Sequence, residues 1–336
     1  MDKTAVVILN YNGVDHLQRF LPSVIEHTSS CQVVVIDNHS TDSSVDYLSS
    51  THSDLKVISL EQNYGFSGGY NKGLKFVDAD NYILLNSDVQ VTSGWADQMI
   101  HYMQEHPGTA ICQPKILSLK NAGKFDYAGA AGGFLDILGY PFCRGRIFDH
   151  IETDDRQYDN DRSIFWAGGA CFFIRAAVYH RLGGFDEDFF AHMEEIDLCW
   201  RSQRAGYQTG YVYESVVYHL GGGTLKDTNP FKTYLNFRNG LELLVKNSSV
   251  GDLVWKLPTR VVLDLIACLK FFLQGSFSHF TAVLKAEMAF LVRLPDTWHK
   301  RTKFHAPYRS QLFKTLIVWD YFVKGRSTFQ AIADQT

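Results

Sequence analysis

Four short apolar runs, separated by segments with helical spacing, occupy residues 4–88 of the chain. The runs are rich in β-branched residues: TAVVILN (4–10), CQVVVID (31–37), LKVISL (55–60) and NYILLNSD (81–88). Between them, apolar residues recur every three or four positions, as in VDHLQRFLPSVIEH, which is typical of amphipathic helices. Buried strands that alternate with helices are joined by right-handed crossovers. The pattern therefore predicts an α/β fold with a doubly wound, mostly parallel sheet.

The pattern continues less regularly along the rest of the chain. Residues 120–165 are rich in glycine and then acidic, which predicts a long loop or lid. From about residue 240 the spacing is helical and apolar, so we place a domain boundary between 1–245 and 246–336. After the fourth strand we predict a helix over SGWADQMIHYMQEH. Between residues 165 and 240 we predict a strand with a short helix over WAGGACFFIRAAVYHRLGGF, a helix over HMEEIDLCWRSQRAG, and one or two strands over YQTGYVYESVVYHL.

Charge is divided unevenly between the two parts of the chain. The 336 residues have a formal net charge of −4, yet residues 246–336 carry 13 Lys and Arg against 6 Asp and Glu. The longest charge-free run there, 271–284, is shorter than the roughly 20 apolar residues that span a bilayer. Amphipathic helices on an anionic membrane surface would explain this region, and a helical dimer or domain interface would explain it equally well. We expect no nucleic-acid partner.

Cysteine usage and the N-terminus bear on cellular location. The six cysteines are scattered without a CxxC pair, which is typical of reduced thiols in a cytosolic protein. The chain enters a strand directly after MDK, without the basic and apolar regions of a signal peptide. We expect a cytoplasmic protein, peripheral at the inner face of the cytoplasmic membrane if the basic region binds lipid.

Polar side chains follow two of the predicted strands. Asp37 ends the second strand, where open α/β sheets bind ligands, although capping of the next helix is the more common role for such a residue. Asn86, Ser87 and Asp88 end the fourth strand. The Asp88 carboxylate suits Mg²⁺ or Mn²⁺, and a turn that bonds its own backbone is an equal alternative.

The segment NYGFSGGYNKG (63–73) is rich in glycine. Residues such as Gly65 and Gly68 would let the backbone approach a phosphate at a helix start. A tight contact between helix and sheet explains the composition equally well. The segment matches neither a P-loop nor a dinucleotide-binding fingerprint.

The segment FDEDFFAHMEEIDLCWR (185–201) combines many carboxylates with large apolar residues. If a helix begins near Met193, Glu194 and Asp197 share one face and Glu195 points aside. A carboxylate in a partly apolar pocket has its pKa raised towards the range of a general base. Acidic residues are also favoured at a helix start, because they interact well with the helix dipole, and this role is an equal alternative to that of a general base.

Two further residues are candidates for binding charged groups. His219 follows a predicted strand and precedes three glycines, so it could be a metal ligand, although a lone His is more often structural. Arg238, with Lys232 on the same predicted helix, could neutralise a diphosphate or be a surface cation.

Taken in order, these stretches resemble the inverting GT-A glycosyltransferases of family two, and most closely the rhamnosyltransferase-like branch of bacterial cell-surface polysaccharide enzymes. The resemblance covers residues 4 to about 240. Its matching stretches are ILNYNG, VIDNHSTDSS, NYGFSGGYNKG, LLNSDV, WAGGACFFIR, GGFDEDFFAHMEEIDLCWR and YLNFRN.

The resemblance implies transfer of a sugar, with rhamnose as one candidate, from a nucleotide-diphosphate donor (UDP or dTDP) to a glycan or lipid-linked acceptor. Asp88 would hold a divalent ion, Mg²⁺ or Mn²⁺, with His219 as second ligand, and Asn86 replaces the first Asp of the family's Asp-x-Asp element. Glu195 or Glu194 would be the general base, Asp197 would orient the helix or an Arg, and Phe189, Phe190 and Trp200 would wall the acceptor site. The donor-binding residues would be Asn10, Asp37, Asn38, Gly65, Gly68, Asn71, Asn86, Ser87 and Arg238.

Two other functional classes remain as alternatives. A sugar-phosphate nucleotidyltransferase should carry a glycine-rich loop with Arg or Lys after its first strand, where this chain has NYNGVDHL, and is disfavoured. A non-catalytic scaffold that binds nucleotide sugars is supported only by Asn86 and Glu195, which replace the aspartates usual in the family.

Overall fold

The computed structural model describes residues 2–127, 129–221, 229–306 and 312–334. The N-terminal half alternates strands and helices as predicted. Its elements are β1 (Thr4–Asn10), α1 (Val14–Glu26), β2 (Gln32–Asp37), α2 (Ser44–Thr51), β3 (Lys56–Ser59), α3 (Gly65–Gly73), β4 (Asn81–Asn86), β5 (Val89–Val91), α4 (Trp95–Glu105) and β6 (Thr109–Ser118).

The remaining elements are shorter strands followed by long helices. They are β7 (Gly133–Leu135), β8 (Pro141–Cys143), β9 (Arg146–Ile147), β10 (His150–Ile151), β11 (Arg162–Ile164), β12 (Cys171–Arg175), α5 (Ala176–Leu182), α6 (Glu194–Arg204), β13 (Gln208–His219), α7 (Pro230–Asn247), α8 (Val250–Leu273), α9 (Phe277–His299), α10 (Ile317–Phe322) and α11 (Phe329–Ala333). Short 3₁₀ helices cover Leu74–Phe76 and Glu187–Phe189.

Across the described ranges, nine strands form one sheet in the order β11-β13-β6-β12-β4-β1-β2-β3, with β5 paired to β13. Neighbours among β3, β2, β1 and β4 are parallel, which confirms the predicted α/β, doubly wound arrangement there. Strand β12 enters antiparallel between β4 and β6, so the sheet as a whole is mixed.

The apolar runs are continuous because helices cover both faces of the sheet. Successive residues of β1 point to opposite sides: Val6 and Ile8 pack with α1 and α4, whereas Ala5 and Val7 pack in the cluster that contains Tyr70 of α3. All five side chains are buried. A parallel sheet covered on both faces requires such unbroken apolar strands.

The prediction of a long loop or lid over 120–165 is wrong. This region contains a small four-stranded sheet, β7 to β10, and buries Phe125, Phe134 and Phe142. Glycine is needed here for close packing, since a Cβ at Gly133 would lie 2.1 Å from the Trp166 ring. The sequence pattern missed the sheet because its strands have only two or three residues each.

The predicted C-terminal helical extension is confirmed. Helix α7 begins at Pro230, where Asn229 accepts a hydrogen bond from the Phe231 amide and so caps it. The extension packs back onto the small sheet: the Phe329 ring lies 5.0 Å from that of Phe134, and the Ile317 amide donates to Asp136. The limit between 1–245 and 246–336 falls in the last turn of α7, and that division stays a prediction.

Among the helices that the structure describes, none is both long and apolar enough to cross a bilayer.

Candidate active site

Four parallel strands deliver polar residues to one edge of the sheet. The strand register pairs Asn10 with Asp37, Asp37 with Ser59, and Leu9 with Asn86, so these strand ends lie side by side. The edge is the carboxyl end of the parallel strands, where open α/β sheets bind ligands. The expected clustering of Asn10, Asp37 and Asn86 is therefore present.

Asp37 is buried and partly committed to local structure. Its Oδ1 accepts from Asn10 Nδ2 at 3.1 Å and its Oδ2 accepts from the Ser40 amide at 3.0 Å. Asp37 thus closes the turn at residues 37–40. It does not cap α2, as the more common interpretation expected, because the N-cap of that helix is Ser43. Asn10 Oδ1 is buried without a partner, and glycine at position 13 leaves space beside it, since a Cβ there would approach to 2.5 Å.

Asn38 fixes the loop that leads into α3. Its Oδ1 accepts from the Tyr64 amide at 3.0 Å, and its Nδ2 donates to the Gly65 carbonyl at 3.0 Å. Gly65 has a positive φ of 69°, which favours glycine. The Asn38 side chain therefore holds the glycine-rich turn by bonding to backbone groups of that turn.

The glycines of α3 have two different surroundings. A Cβ at Gly69 or Gly73 would collide with Leu9 or Ile36, at 2.7 and 2.3 Å, so these two allow tight packing of helix on sheet. A Cβ at Gly68 would lie 2.9 Å from the Tyr64 Cβ and 3.4 Å from the Glu187 carboxylate. Gly68 thus also allows close packing, and it differs from Gly69 and Gly73 in having a carboxylate beside it.

Asn71 joins α3 to the segment that precedes α6. Its Oδ1 accepts from the Tyr179 hydroxyl at 2.6 Å and from the Phe185 amide at 3.0 Å. Its Nδ2 donates to the Phe185 carbonyl and to Glu187 Oε1. Asn71 acts here as a structural joint, with its amide fully engaged by protein groups.

Asp88, His219 and Asp126 form a buried line of hydrogen-bonding groups. His219 Nε2 lies 3.2 Å from Asp88 Oδ1, and His219 Nδ1 lies 3.0 Å from Asp126 Oδ2. Burial lowers the pKa of His219, but hydrogen bonds to Asp126 and Asp88 outweigh it and raise that pKa to about 10. Burial raises the pKa of Asp88, but the hydrogen bond from His219 outweighs it and leaves that pKa below its ordinary value.

These residues fit a divalent ion as part of its ligand set. Within the described residues no group of three or more His, Cys, Asp or Glu side chains converges on one point. Asp88 and His219 Nε2 supply two donors, with Asp126 on the other ring nitrogen as an orienting carboxylate. Mg²⁺ and similar ions are often held by one or two carboxylates with substrate phosphates completing the shell. The pair therefore suits an ion that arrives with a diphosphate and displaces the Nε2 proton, which the raised pKa of His219 retains in the metal-free protein.

Glu195 lies beside the end of β4. The Asn86 amide donates to the Ala170 carbonyl at 3.0 Å, and a Cβ at the adjoining Gly169 would lie 4.0 Å from the Glu195 carboxyl carbon. Ser87 lies on the same edge, with its Oγ 3.8 Å from the Cβ position of Gly13. Tertiary structure thus brings Glu195 to the edge that carries Asn86 and Ser87.

The two glutamates at the start of α6 differ in exposure. Glu194 is buried and Glu195 is partly exposed, and each has an Oε2 atom that is buried without a hydrogen-bond partner. Burial raises the pKa of Glu195 to about 7, and burial together with the Glu195 charge raises that of Glu194. A carboxyl group with such a pKa can exchange a proton with a bound molecule.

The segment before α6 has an unusual backbone. Phe190, His192 and Met193 all have positive φ, at 65°, 66° and 77°. Non-glycine residues rarely adopt this conformation, and such strain persists only where the surroundings hold it. Asn239 Nδ2 donates to the carbonyls of Phe189, Ala191 and His192 at 3.0, 2.9 and 2.8 Å and supplies that hold.

Arg238 supports the same segment. Its Nη2 donates to the carbonyls of Asp188 and Phe189, at 3.1 and 3.2 Å, and to Asn239 Oδ1. The side chain is buried, which differs from the alternative of a surface cation. Its guanidinium therefore positions backbone, and binding of a diphosphate by Arg238 stays a prediction.

Asp197 has an environment opposite to that of the two glutamates. It is fully buried, and its Oδ2 accepts from Arg201 Nε at 2.8 Å and lies 3.0 Å from Lys246 Nζ, while Asn247 donates to its Oδ1. Burial raises its pKa, but the two cations outweigh that effect and hold the pKa below its ordinary value. Asp197 thus orients an Arg, as the resemblance implied, and serves to anchor α6.

The aromatic wall expected around the acceptor site is largely wrong. Phe189 and Trp200 are buried in the core, where the Trp200 ring packs edge-on against Phe165. Only Phe190 of the three is exposed, at 54%. The sequence misled here because spacing cannot distinguish an aromatic residue that lines a site from one that packs beneath it.

Sequence reasoning missed Asp126 and Asn239. Asp126 lies in the region predicted as a loop, where no periodic pattern marks it. Asn239 directly follows Arg238, within the YLNFRN stretch that carried the resemblance. Both act on residues far along the chain, 93 and 47–50 positions away, so only the fold identifies their partners.

Comparison with known proteins identifies the family of the chain. A family model described as "Glycosyl transferase family 2" matches residues 5–182, just over half of the chain. The matched region runs from β1 to α5, and therefore includes Asp37 and Asp88 but ends before Glu194 and His219. An N-acetylglucosaminyl-diphospho-decaprenol L-rhamnosyltransferase of Mycobacterium tuberculosis is 27% identical over 235 residues, which cover 65% of this chain and 76% of that protein.

Two solved structures share the fold. The mannosyltransferase PcManGT from Pyrobaculum calidifontis, in complex with GDP-Man and Mn²⁺, superposes with a TM-score of 0.52 at 13% identity and covers 86% of this chain and 87% of its own. GalNAc-T7 with UDP, GalNAc and Mn²⁺ superposes with a TM-score of 0.58 at 17% identity, covering 73% and 48%. At these identities the likeness shows the GT-A fold alone.

Proposed function

The chain belongs to glycosyl transferase family 2 and is a glycosyltransferase with rhamnosyltransferase-like relatives, and on that premise we propose what it transfers and how. The donor is a nucleoside diphosphate sugar, UDP- or dTDP-linked, and the sugar is a hexose or rhamnose. Transfer inverts the anomeric configuration. The proposal is supported by two features near the end of β4: the Asp88–His219 pair, and Glu195, which has a raised pKa and lies beside Gly169.

The donor would lie along the carboxyl ends of β1, β2 and β4. Asn10 Oδ1 is a buried acceptor without a partner, so it is available to a ribose hydroxyl or a base N–H together with Asp37. Ser87 and the turn at Gly65 and Gly68 border the same edge. Asn38 and Asn71 act on the donor through the loops they hold.

A divalent ion, Mn²⁺ or Mg²⁺, would be held by Asp88 and His219 Nε2. Both comparison structures described above contain Mn²⁺. When bound, the ion would neutralise negative charge that develops on the leaving diphosphate. The chain's own contribution is orientation: Asp126 fixes the His219 ring through Nδ1, and Nε2 lies 3.2 Å from Asp88 Oδ1, so the two donor atoms are adjacent.

Glu195 would be the general base. Its carboxylate accepts the proton of the acceptor hydroxyl while that oxygen attacks the anomeric carbon, and the carbon–oxygen bond to the diphosphate breaks on the opposite face. Glu195 is preferred to Glu194 because it is the more exposed of the two and lies beside Gly169 at the end of β4. Asn239 and Arg238 set its position by holding residues 188–192.

The acceptor is a glycan or lipid-linked saccharide, and we propose that the enzyme meets it at the inner face of the cytoplasmic membrane. Support for a lipid-linked acceptor comes from the mycobacterial relative, whose name specifies N-acetylglucosaminyl-diphospho-decaprenol. Support for membrane contact comes from the basic helical region.

The test is thermal stability of the purified protein with UDP or dTDP, each with and without Mn²⁺, for the native chain and Asp88→Ala. We expect stabilisation that requires both nucleotide and Mn²⁺ and is lost in the variant. Absence of any shift would refute the donor site. Sugar transfer is then assayed with Glu195→Gln, which should bind nucleotide and not turn over. A native protein that binds nucleotide but transfers no sugar would favour the scaffold alternative.

A further inference from the structure

Helix α8 exposes most of its apolar side chains and buries three of its five charged ones. Lys256, Arg260 and Asp264 are only 4%, 3% and 2% exposed. On the opposite side, the apolar residues are 44–75% exposed: Val254, Trp255, Val262, Leu265, Ile266, Leu269, Phe272 and Leu273. A surface helix in water shows the reverse arrangement. The outer face of α8 is therefore built for an apolar environment.

The buried Arg260 and Asp264 side chains of α8 bind the segment between β7 and β8. The Arg260 guanidinium sits 3.7 Å over the Tyr140 ring and donates to the Leu138 carbonyl, and the Tyr140 hydroxyl donates to Asp264. These contacts attach the polar face of α8 to the small sheet. They leave the apolar face pointing away from the protein.

Helix α9 continues this exposed surface. Its outward positions recur with helical spacing and are 40–77% exposed: Phe277, Leu284, Met288, Leu291, Val292 and Trp298. The opposite positions, including Val283, Ala286 and Phe290, are buried. Rings of Phe272 and Phe277 lie 5.7 Å apart, so the two stripes meet where α8 turns into α9.

An open groove of about 520 Å³ borders the start of α8. Trp255 and Trp319 line it together with Leu316, Lys314 and Lys324. Tryptophan and lysine are the residues that favour the headgroup layer of a bilayer, because each combines an apolar body with a polar end. None of the lining residues belongs to the candidate active site.

Charge in the region 250–334 favours an anionic partner. Among its described residues six lysines are exposed (Lys270, Lys285, Lys300, Lys303, Lys314 and Lys324), against two acids, Asp296 and Asp334. Lys270 and Lys285 lie on α8 and α9, whereas Lys300 and Lys324 are paired with carboxylates. A second copy of the chain would bring the same positive charge to the interface and repel it. An anionic lipid surface is complementary both to the apolar stripes and to the lysines beside them.

We infer that α8 and α9 lie in the plane of an anionic bilayer, with their apolar stripes among the acyl chains and the lysines and tryptophans at the headgroups. The exposed apolar residues of α8 and α9 together form the α8–α9 face. This inference deepens the proposed lipid-linked acceptor and rests on it, since a membrane-seated enzyme meets such an acceptor where it is made. Vesicle binding requires neither donor nor transfer, so the two proposals fail separately.

The test is flotation of the full chain with phosphatidylcholine vesicles, with and without phosphatidylglycerol. We expect binding to be at least about tenfold stronger with phosphatidylglycerol. The double variant Ile266→Glu/Val292→Glu should lower it by roughly a hundredfold, and Lys285→Gln by about fivefold. Phe76→Glu is the matched control, because Phe76 is 63% exposed on the N-terminal part of the chain and should leave binding unchanged.

The opposing outcomes are equally specific. Equal binding by the native chain and the double variant would overturn the inference, as would binding that ignores phosphatidylglycerol. A native chain that is dimeric without vesicles, and becomes monomeric in the double variant, would assign the α8–α9 face to a second copy. A cooperative urea-denaturation transition with a midpoint close to that of the native chain confirms that the double variant is folded.

Discussion

Replacing Glu195 by Gln should stabilise the protein at pH 8 while abolishing its activity. Burial raises the pKa of Glu195 from 4.5 to about 7. The folded protein thus binds a proton that the unfolded chain releases, and stability is lost as pH rises between these two values. The difference corresponds to ~3 kcal/mol of unfolding free energy at pH 8. Glutamine has nearly the same shape and avoids this cost.

The neighbouring glutamate changes the magnitude. The charge of Glu195 contributes to the raised pKa of Glu194, so its removal makes ionisation of Glu194 easier as well. We therefore expect Glu195→Gln to gain about 1–3 kcal/mol at pH 8 and less than about 1 kcal/mol at pH 5. The measurement is urea denaturation of both proteins at the two pH values.

Asp197→Asn is the matched control on the same helix. Arg201 and Lys246 hold the pKa of Asp197 below its ordinary value despite burial. Its carboxylate therefore stabilises the fold at neutral pH, and this contribution is lost as pH falls through the acid range. We expect Asp197→Asn to lose about 3 kcal/mol at pH 8, because Arg201 stays buried without a carboxylate, whereas Lys246 keeps its pairing with Asp186.

Opposite signs in the two variants would support separate roles for two acids that are two positions apart. If Glu195→Gln were no more stable than the native protein at pH 8, burial would not raise the pKa of Glu195, and its assignment as base would lose its physical ground. Transfer activity should fall by about 10²–10⁴-fold in the same variant. Activity that survives would assign the base to Glu194.

Three further predictions concern residues that position the site or the sheet. Asn239→Ala removes the donor to three carbonyls in the left-handed segment, so kcat should fall by about tenfold with little change in KM for the donor. An unchanged kcat in the folded variant would contradict a role of the Asn239 hydrogen bonds in positioning the site. Asp126→Asn should weaken Mn²⁺ binding in the presence of UDP by about 10- to 100-fold in calorimetry, and equal affinity would mean that it does not orient the imidazole. Gly73→Ala would place a Cβ 2.3 Å from Ile36, which should cost about 1–3 kcal/mol in urea denaturation, whereas Gly251→Ala, with open space around it, should be close to neutral. The reverse order would be inconsistent with tight packing of α3 on the sheet.

Local pattern was enough to predict the elements around the donor edge. The strands β1 to β4 are mostly apolar and are separated by segments with helical spacing. Both patterns can be recognised from residues that are close together in the sequence. The small sheet β7 to β10 was not predictable in this way, because strands of two or three residues carry no periodic signal and are held by distant contacts such as that between Phe134 and Phe329.

The candidate site likewise has some features that the sequence predicts and others that depend on the tertiary structure. The sequence by itself determined that Asp37, Asn86 and Asp88 follow strands, and that parallel strands bring such ends to one edge. Only the tertiary structure decided that Glu195 is partly exposed while Asp197 is buried between Arg201 and Lys246. The physical reason is that a carboxylate's role depends on which charges and how much water surround it, and residues far away in the sequence supply both.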